Sequence, residues 1–258
     1  MQIDVLTSGI WQTNSTILAH GDACVVVDPA YFPRELDAIA ERVRALGRAA
    51  AVVFTHGHWD HVMGHAALPE APVYVSRVLA TSIARGDPRA AKYLDDARSF
   101  DSRWYVPRPS GYRWPDALRG LAEAERADVA GLALRSLELP GHSPDGLGLV
   151  ADDTLLVGDY LSPCEIPFID DARAYRGTLA RLIELLPGVR RVIPGHGPRL
   201  TADEALAVAR ADLDYVDRLL AARDLAAAHA VPLPRAADVT GMTDHHRDNG
   251  ATVLRQTS

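Results

Sequence analysis

The chain has 258 residues, 48% hydrophobic and 24% charged, the profile of an ordinary globular protein able to bury a large core. Its net charge of −7 weighs against a nucleic-acid backbone as the main partner, because neutralising phosphates takes a basic surface, although a local arginine-rich groove is compatible with that sum. The opening MQIDVLTSGIWQTNSTILAHGD lacks the basic start and apolar run of an export signal, and no stretch reaches the about eighteen apolar residues of a membrane span, so a cytoplasmic protein with no membrane partner is expected.

Residues 3–7 and 16–27 read as β-rich, with TILAHGDACVVVD placing two apolar runs around a His-Gly-Asp turn in the manner of a hairpin. A helix should follow, since Pro33 suits a first helical turn and Leu36, Ile39, Val43 and Leu46 recur at helical spacing until Gly47. AAAVVFT, residues 49–55, is then an uninterrupted apolar run of the kind shown by a strand buried on both faces, and it ends in HGHWDH. The stretch of about 85–116 is different: Tyr93, Trp104, Tyr105, Tyr112 and Trp114 stand among prolines and arginines, which suggests a helix and irregular excursions inserted over the sheet. ALRSLELPGHS and LGLVADDTLLVGDY read as three further strands.

Next, Leu179, Leu182, Ile183 and Leu186 form an apolar helical face, Pro187 and Gly188 end it, and RRVIP leads into GHG. The helix–turn–strand–His unit thus occurs twice, which suggests two similar halves whose strand ends meet at one site. After it, Thr201 and Glu204 are placed as the capping box of a long helix. One domain over 1–230 is expected, with 231–258 a tail whose structure the sequence does not indicate.

The chemistry concentrates in HGHWDH. His56, His58, Asp60 and His61 leave a buried strand together, and four such groups in six positions would be poorly solvated and poorly packed unless a cation bound them. A solvated histidine-rich loop is the plain alternative. His142, Asp159 and His196 each stand just beyond an apolar strand with a glycine adjacent, where the backbone can bend tightly and approach an ion. A single histidine in such a place is usually an ordinary loop residue; three matching contexts are harder to dismiss. Neutral imidazoles and carboxylates suit zinc, with iron or manganese also possible for a mixed N/O set. A pair of such cations would make a hydroxide nucleophile near neutral pH without a serine or cysteine.

HxHxDH followed by isolated His, Asp and His at strand ends resembles the metallo-β-lactamase superfamily, over roughly Asn14 to Gly197. The opening segment NSTILAHGDACVVVDPA is similar to that superfamily's start. The resemblance implies an α/β fold, a four-layer αββα sandwich with two metals at one edge. It implies that His56, His58 and His142 hold the first metal, Asp60, His61 and His196 the second, and that Asp159 bridges both. Asp60 would also orient the metal-bridging hydroxide.

Fold and ligands do not choose the substrate. The full set with a bridging aspartate resembles the glyoxalase II and lactonase-like branches more than the true β-lactamases. Yet the 81 positions from His61 to His142 exceed what a compact glyoxalase II needs, and no basic C-terminal segment for glutathione is recognisable. The leading expectation is hydrolysis of an ester, thioester or lactone of a small organic molecule by two divalent ions, zinc foremost. The alternatives are phosphodiester or RNA cleavage, which Arg103, Arg108 and Arg113 could assist, a mono-iron sulfur oxygenase, and a non-catalytic metal-binding protein. A small-molecule partner is expected, and nucleic acid is not.

The remaining candidates are weighed singly. Asp28 stands evenly between a turn residue and a hydrogen-bond partner of a metal-bound histidine. Tyr160 is equally an oxyanion donor or a core tyrosine. His65, four residues past His61, reads as a surface or capping residue before a ligand, and His245 and His246 read as a mobile polar tail before a second metal site. Cys24 reads as core, and Cys164 as a loop residue near the site; no disulfide framework is expected.

Overall fold

A computed structural model describes residues 1–257 and divides them into two compact units, 1–138 with 149–152, and the remainder. In the first unit, β1 (Gln2–Thr7), β2 (Asn14–His20) and β3 (Ala23–Val27) form an antiparallel meander, β1 pairing from Gln2 with Ala19 to Thr7 with Asn14. All of β3, and β2 up to its last residue, is buried. That is why both read as continuous runs instead of alternating.

Helix α1 (Pro33–Leu46) begins with its proline in the first turn and buries Ile39, Ala40 and Val43. The Glu35 carboxylate receives the backbone N–H groups of Tyr31 and Phe32, both at 3.2 Å, and so satisfies donors that a helix start leaves unpaired. It also accepts from the Ser8 hydroxyl at 2.6 Å and from Gly9 N at 2.9 Å, which ties the β1–β2 loop to this helix. Strand β4 (Arg48–Val53) returns parallel to β3. After it come the short helix α2 (Trp59–Val62), strand β5 (Val73–Ser76), helices α3 (Arg77–Ala84) and α4 (Pro88–Trp104), and β6 (Leu118–Leu121), giving a sheet in the order β1-β2-β3-β4-β5-β6. The stretch expected to hold a helix with irregular excursions is therefore α4 and the segment leading to β6. Strands β7 (Arg126–Val129) and β8 (Leu132–Glu138) pair as a hairpin.

A second six-stranded sheet runs β12-β11-β10-β9-β8-β7, where β9 is Leu147–Ala151, β10 Thr154–Leu156, β11 Arg191–Ile193 and β12 Leu200–Thr201. In the second unit α5 (Ala172–Leu185) connects β10 to the parallel β11, burying Tyr175, Leu179 and Leu182. The repeated unit seen in the sequence is thus a β–α–β crossover in each half, β3–α1–β4 and β10–α5–β11, with histidines at the exit of the returning strand. Helix α6 (Ala202–Ala221) starts on the expected capping box, Glu204 N donating to the Thr201 hydroxyl and Thr201 N to the Glu204 carboxylate.

Two more helices, α7 (Leu225–His229) and α8 (Met242–Thr257), follow, and α8 packs on α5, α6 and α7. Residues expected as a mobile polar tail are therefore ordered: the buried His246 ring pairs with the Tyr215 hydroxyl at 2.9 Å, and His245 lies 4.0 Å from the Phe168 ring. Among the described residues no helix is long and apolar enough to cross a membrane.

Candidate metal centre

In the first unit the ligand-type residues sit where β4 ends and α2 begins. His56 Nε2 and His58 Nδ1 face each other at 3.0 Å, and His61 Nε2 lies 3.2 Å from Asp60 Oδ2. His56, Asp60 and His61 are buried and His58 is half-buried. The far side of His61 is held as a metal-bound imidazole needs, its Nδ1 being 3.0 Å from Asp28 Oδ2. Asp28 is itself fixed by two donors of Thr55, backbone N at 2.7 Å and hydroxyl at 2.6 Å, and its backbone takes a left-handed conformation that aspartate tolerates better than most residues. The Thr55 hydroxyl also lies 3.1 Å from His56 Nδ1, so one Asp28–Thr55 pair sets two imidazoles. Thr13, from the β1–β2 loop, places its hydroxyl 3.3 Å from Asp60 Oδ2.

In the second unit Asp159 is the hub. His142 Nε2 faces its Oδ2 at 3.2 Å and His196 Nε2 faces its Oδ1 at 3.3 Å, so the two carboxylate oxygens address different imidazoles. Burial disfavours the His142 imidazolium, but the charge and hydrogen bond of Asp159 outweigh it and raise this histidine above its usual range. His142 Nδ1 lies 3.1 Å from the Phe168 carbonyl. Two glycines make the approach possible. A Cβ on Gly195 would stand 2.3 Å from Asp159 Oδ1, and one on Gly141, at φ +128°, would stand 2.3 Å from the Tyr175 backbone.

Each of these donor sets fits a divalent metal ion: within each unit, imidazole nitrogens and carboxylate oxygens lie close together, with outer partners that fix tautomers and no Cβ in the way. Tyr160 serves the site differently from an oxyanion donor. Its buried hydroxyl donates to Pro140 O at 2.7 Å and receives His142 N at 3.2 Å, bracing the loop that carries His142, and burial pushes its pKa upward. His65 is set apart from the ligand-type residues, its Nδ1 3.4 Å from Val62 O and its ring against Phe54. Thr55, Thr13 and Phe168 join the site without having stood out in the sequence. Thr55 adjoins the motif, and that adjacency is a usable signal, whereas the role of Phe168 lies in its backbone carbonyl and has no side-chain signature.

Beside α2 an aromatic nest opens to a cavity of about 680 Å³, lined by Trp11, Phe32, Phe100, Arg103, Trp104 and Val106 among others. Trp59, between His58 and Asp60, packs edge-on against Trp11 at 5.2 Å and tilted on Phe100 at 4.6 Å. The wall is pinned from below by the buried Arg108–Asp101 pair at 2.8 Å, with Arg108 stacked 4.4 Å over Tyr31. Trp114 lies outside this wall, and its indole donates to Ala90 O at 3.2 Å, fastening the segment before β6 to α4.

The family model for the metallo-beta-lactamase superfamily matches residues 8–223. A hydroxyacylglutathione hydrolase of Anaeromyxobacter dehalogenans is 29% identical over 222 residues, covering 80% of this chain and 72% of that protein. A probable metallo-hydrolase of Streptococcus pyogenes is 26% identical over 200 residues, 73% of this chain and 80% of the relative. A crystal structure of a protein in a di-iron-bound form superposes with a TM-score of 0.60 at 28% identity, covering 78% of this chain and 96% of that one.

Proposed function

This chain belongs to the metallo-β-lactamase superfamily and is a metal-dependent hydrolase with the family's αββα sandwich fold, and from that premise we propose that it cleaves an ester, thioester or lactone of a small organic molecule. The seven residues His56, His58, Asp60, His61, His142, Asp159 and His196 together hold two divalent ions in this reading, His56, His58 and His142 serving one, Asp60, His61 and His196 the other. The observation that carries it is Asp159, whose two oxygens each face a different imidazole, so that this one carboxylate could serve two ions. Zinc suits the donors, and the relative solved with two irons supports iron as the second choice.

Bound ions supply an activated water at neutral pH and positive charge against a developing oxyanion. The chain's own part is to place groups around them. Asp60, held by Thr13 and His61, presents a carboxylate that orients the attacking water and accepts its proton. Asp28 and the Phe168 carbonyl keep His61 and His142 in the tautomer that offers Nε2. The aromatic cavity beside α2 receives the organic part of the substrate, because Trp and Phe walls exclude water with little rotamer freedom to lose. Similarity to a hydroxyacylglutathione hydrolase supports a thioester as the first substrate to try.

The test pairs elemental analysis with a panel of acyl thioesters, lactones and bis-(nitrophenyl) phosphate. Thioester or lactone turnover is expected, and Asp159→Asn should lower the metal content from about two ions towards one and kcat by on the order of a hundredfold. Turnover of the phosphodiester alone, or a fully active Asp159→Asn enzyme, would remove the basis for this function.

A further inference from the structure

Helix α8 reaches His142 through a backbone clamp. With Nδ1–H donated to Phe168 O, a neutral His142 would offer its Nε2 lone pair to a bound ion. That carbonyl shares one planar peptide unit with Ile169 N, and a single side chain holds both this unit and the preceding one, which carries Pro167 O. Asn249 Oδ1 accepts from Ile169 N at 3.1 Å, and Asn249 Nδ2 donates to Pro167 O at 2.6 Å. The amide is buried and its Nδ2 also lies 3.2 Å from the Tyr215 hydroxyl, which pairs with His246.

The local sequence runs against helix propensity at this point. Asn249 and Gly250 stand side by side in the middle of α8, and both are poor helix formers. Gly250 has a packing reason, since a Cβ there would come within 3.1 Å of Ala228 in α7. For Asn249 the reason is the clamp: an apolar residue would leave a buried N–H and a buried C=O without their present partners. Conflict between local preference and fold marks positions that serve something other than the helix itself.

We propose that Asn249 is a positioning residue of the metal centre, fixing Pro167–Ile169 so that the Phe168 carbonyl sets the tautomer and ring orientation of His142. The proposal rests on the reading of His142 as a metal ligand. Helix α8 thereby belongs to the working site, and its docking is a condition for tight metal binding.

The experiment measures zinc affinity of the full chain by chelator competition at neutral pH, together with the thermal midpoint of the metal-free protein. Asn249→Ala should weaken zinc binding by about tenfold, the lower end of what outer partners of metal-bound histidines contribute. The exchange of the His142 Nδ1–H with water, followed by NMR, should also quicken. Gln256→Ala is the control: it removes the other α8 bonds to this segment, from Ala172 N at 3.0 Å and to Asp170 O at 2.6 Å, and should leave zinc affinity unchanged even if the midpoint falls. If Asn249→Ala does not fold, Asn249→Asp retains the acceptor for Ile169 N and loses the amide donor to Pro167 O, and a smaller loss of affinity is expected. Wild-type affinity in either Asn249 variant, with only the midpoint lowered, overturns the proposal. A wild-type chain that binds no zinc or iron would instead remove His142 as a ligand and the functional reading beneath it.

Discussion

The imidazole of His61 is held at Nδ1 by Asp28, and Asp28 by Thr55, a chain of hydrogen bonds in which every member is buried. Removing the carboxylate leaves the imidazole able to turn or to change tautomer, and leaves two Thr55 donors unsatisfied. Asp28→Ala is therefore expected to weaken metal binding by about ten- to a hundredfold, with Thr55→Val giving a milder loss; metal titration of both variants checks the order. At this scale the ligand-type residues are legible in the sequence because HxHxDH packs four donors into six positions. Asp28 is evenly balanced there, since an aspartate before a proline has an ordinary turn explanation. Only its 3.0 Å distance to His61 Nδ1 tells the two readings apart. Tyr160 shows the same limit, as adjacency to Asp159 in the chain does not reveal that its hydroxyl points to Pro140 and His142.

Helices α1, α5 and α6 are legible as elements because most of their buried positions are apolar at helical spacing, Thr178 and Asp212 apart. Helix α4 is legible only as a helix somewhere within about 85–116, and α8 is not legible. The buried face of α4 is Ala90, Tyr93, Ala97 and Asp101, and that of α8 is Met242, His246, Asn249, Gly250 and Val253. Both have the right period, but polar or small side chains occupy it, so a hydrophobic pattern cannot display it. Asp101 is buried because it meets Arg108 and the Tyr31 and Tyr112 hydroxyls, a network that no sequence window contains. The network holds the end of α4, and with it Trp104, at the rim of the aromatic cavity. Trp104 is 59% exposed at that rim, so its ring is open to a ligand entering the cavity. Trp104→Ala should consequently raise KM several-fold, on the scale of about 1 kcal/mol for a lost aromatic contact, with metal content and folding unchanged. Trp114→Ala is the contrast, since it removes the fastening to Ala90 and should lower thermal stability. A Trp104 variant that melts early with unaltered KM would make this residue part of the packing.

For the molecule as a whole, the two crossovers β3–α1–β4 and β10–α5–β11 are visible as a loose internal repeat, because each couples a helical apolar face to a short buried run ending in histidine. Each unit thereby delivers its own buried set of imidazoles and carboxylates, and such groups are costly to bury without a cation. Metal binding should accordingly stabilise the native state by mass action, by about 2.7 kcal/mol when free metal is a hundred times its dissociation constant. For a chain of this length that corresponds to a rise of roughly 5–10 °C in the thermal midpoint. Chelation should reverse the rise and abolish hydrolysis together, and restored metal should return both. Neither thiol is expected to take part in this. Cys24 lies wholly buried in the first core, and Cys164 rests beside Ser162 with burial raising its pKa, away from the thiolate a nucleophile requires. Serine at both positions should keep most of the activity and the same response to chelator, as calorimetry and turnover on one set of samples would show. Hydrolysis that survives complete metal removal, or that disappears with Cys164→Ser while metal stays bound, would place the nucleophile on the chain and not on an activated water.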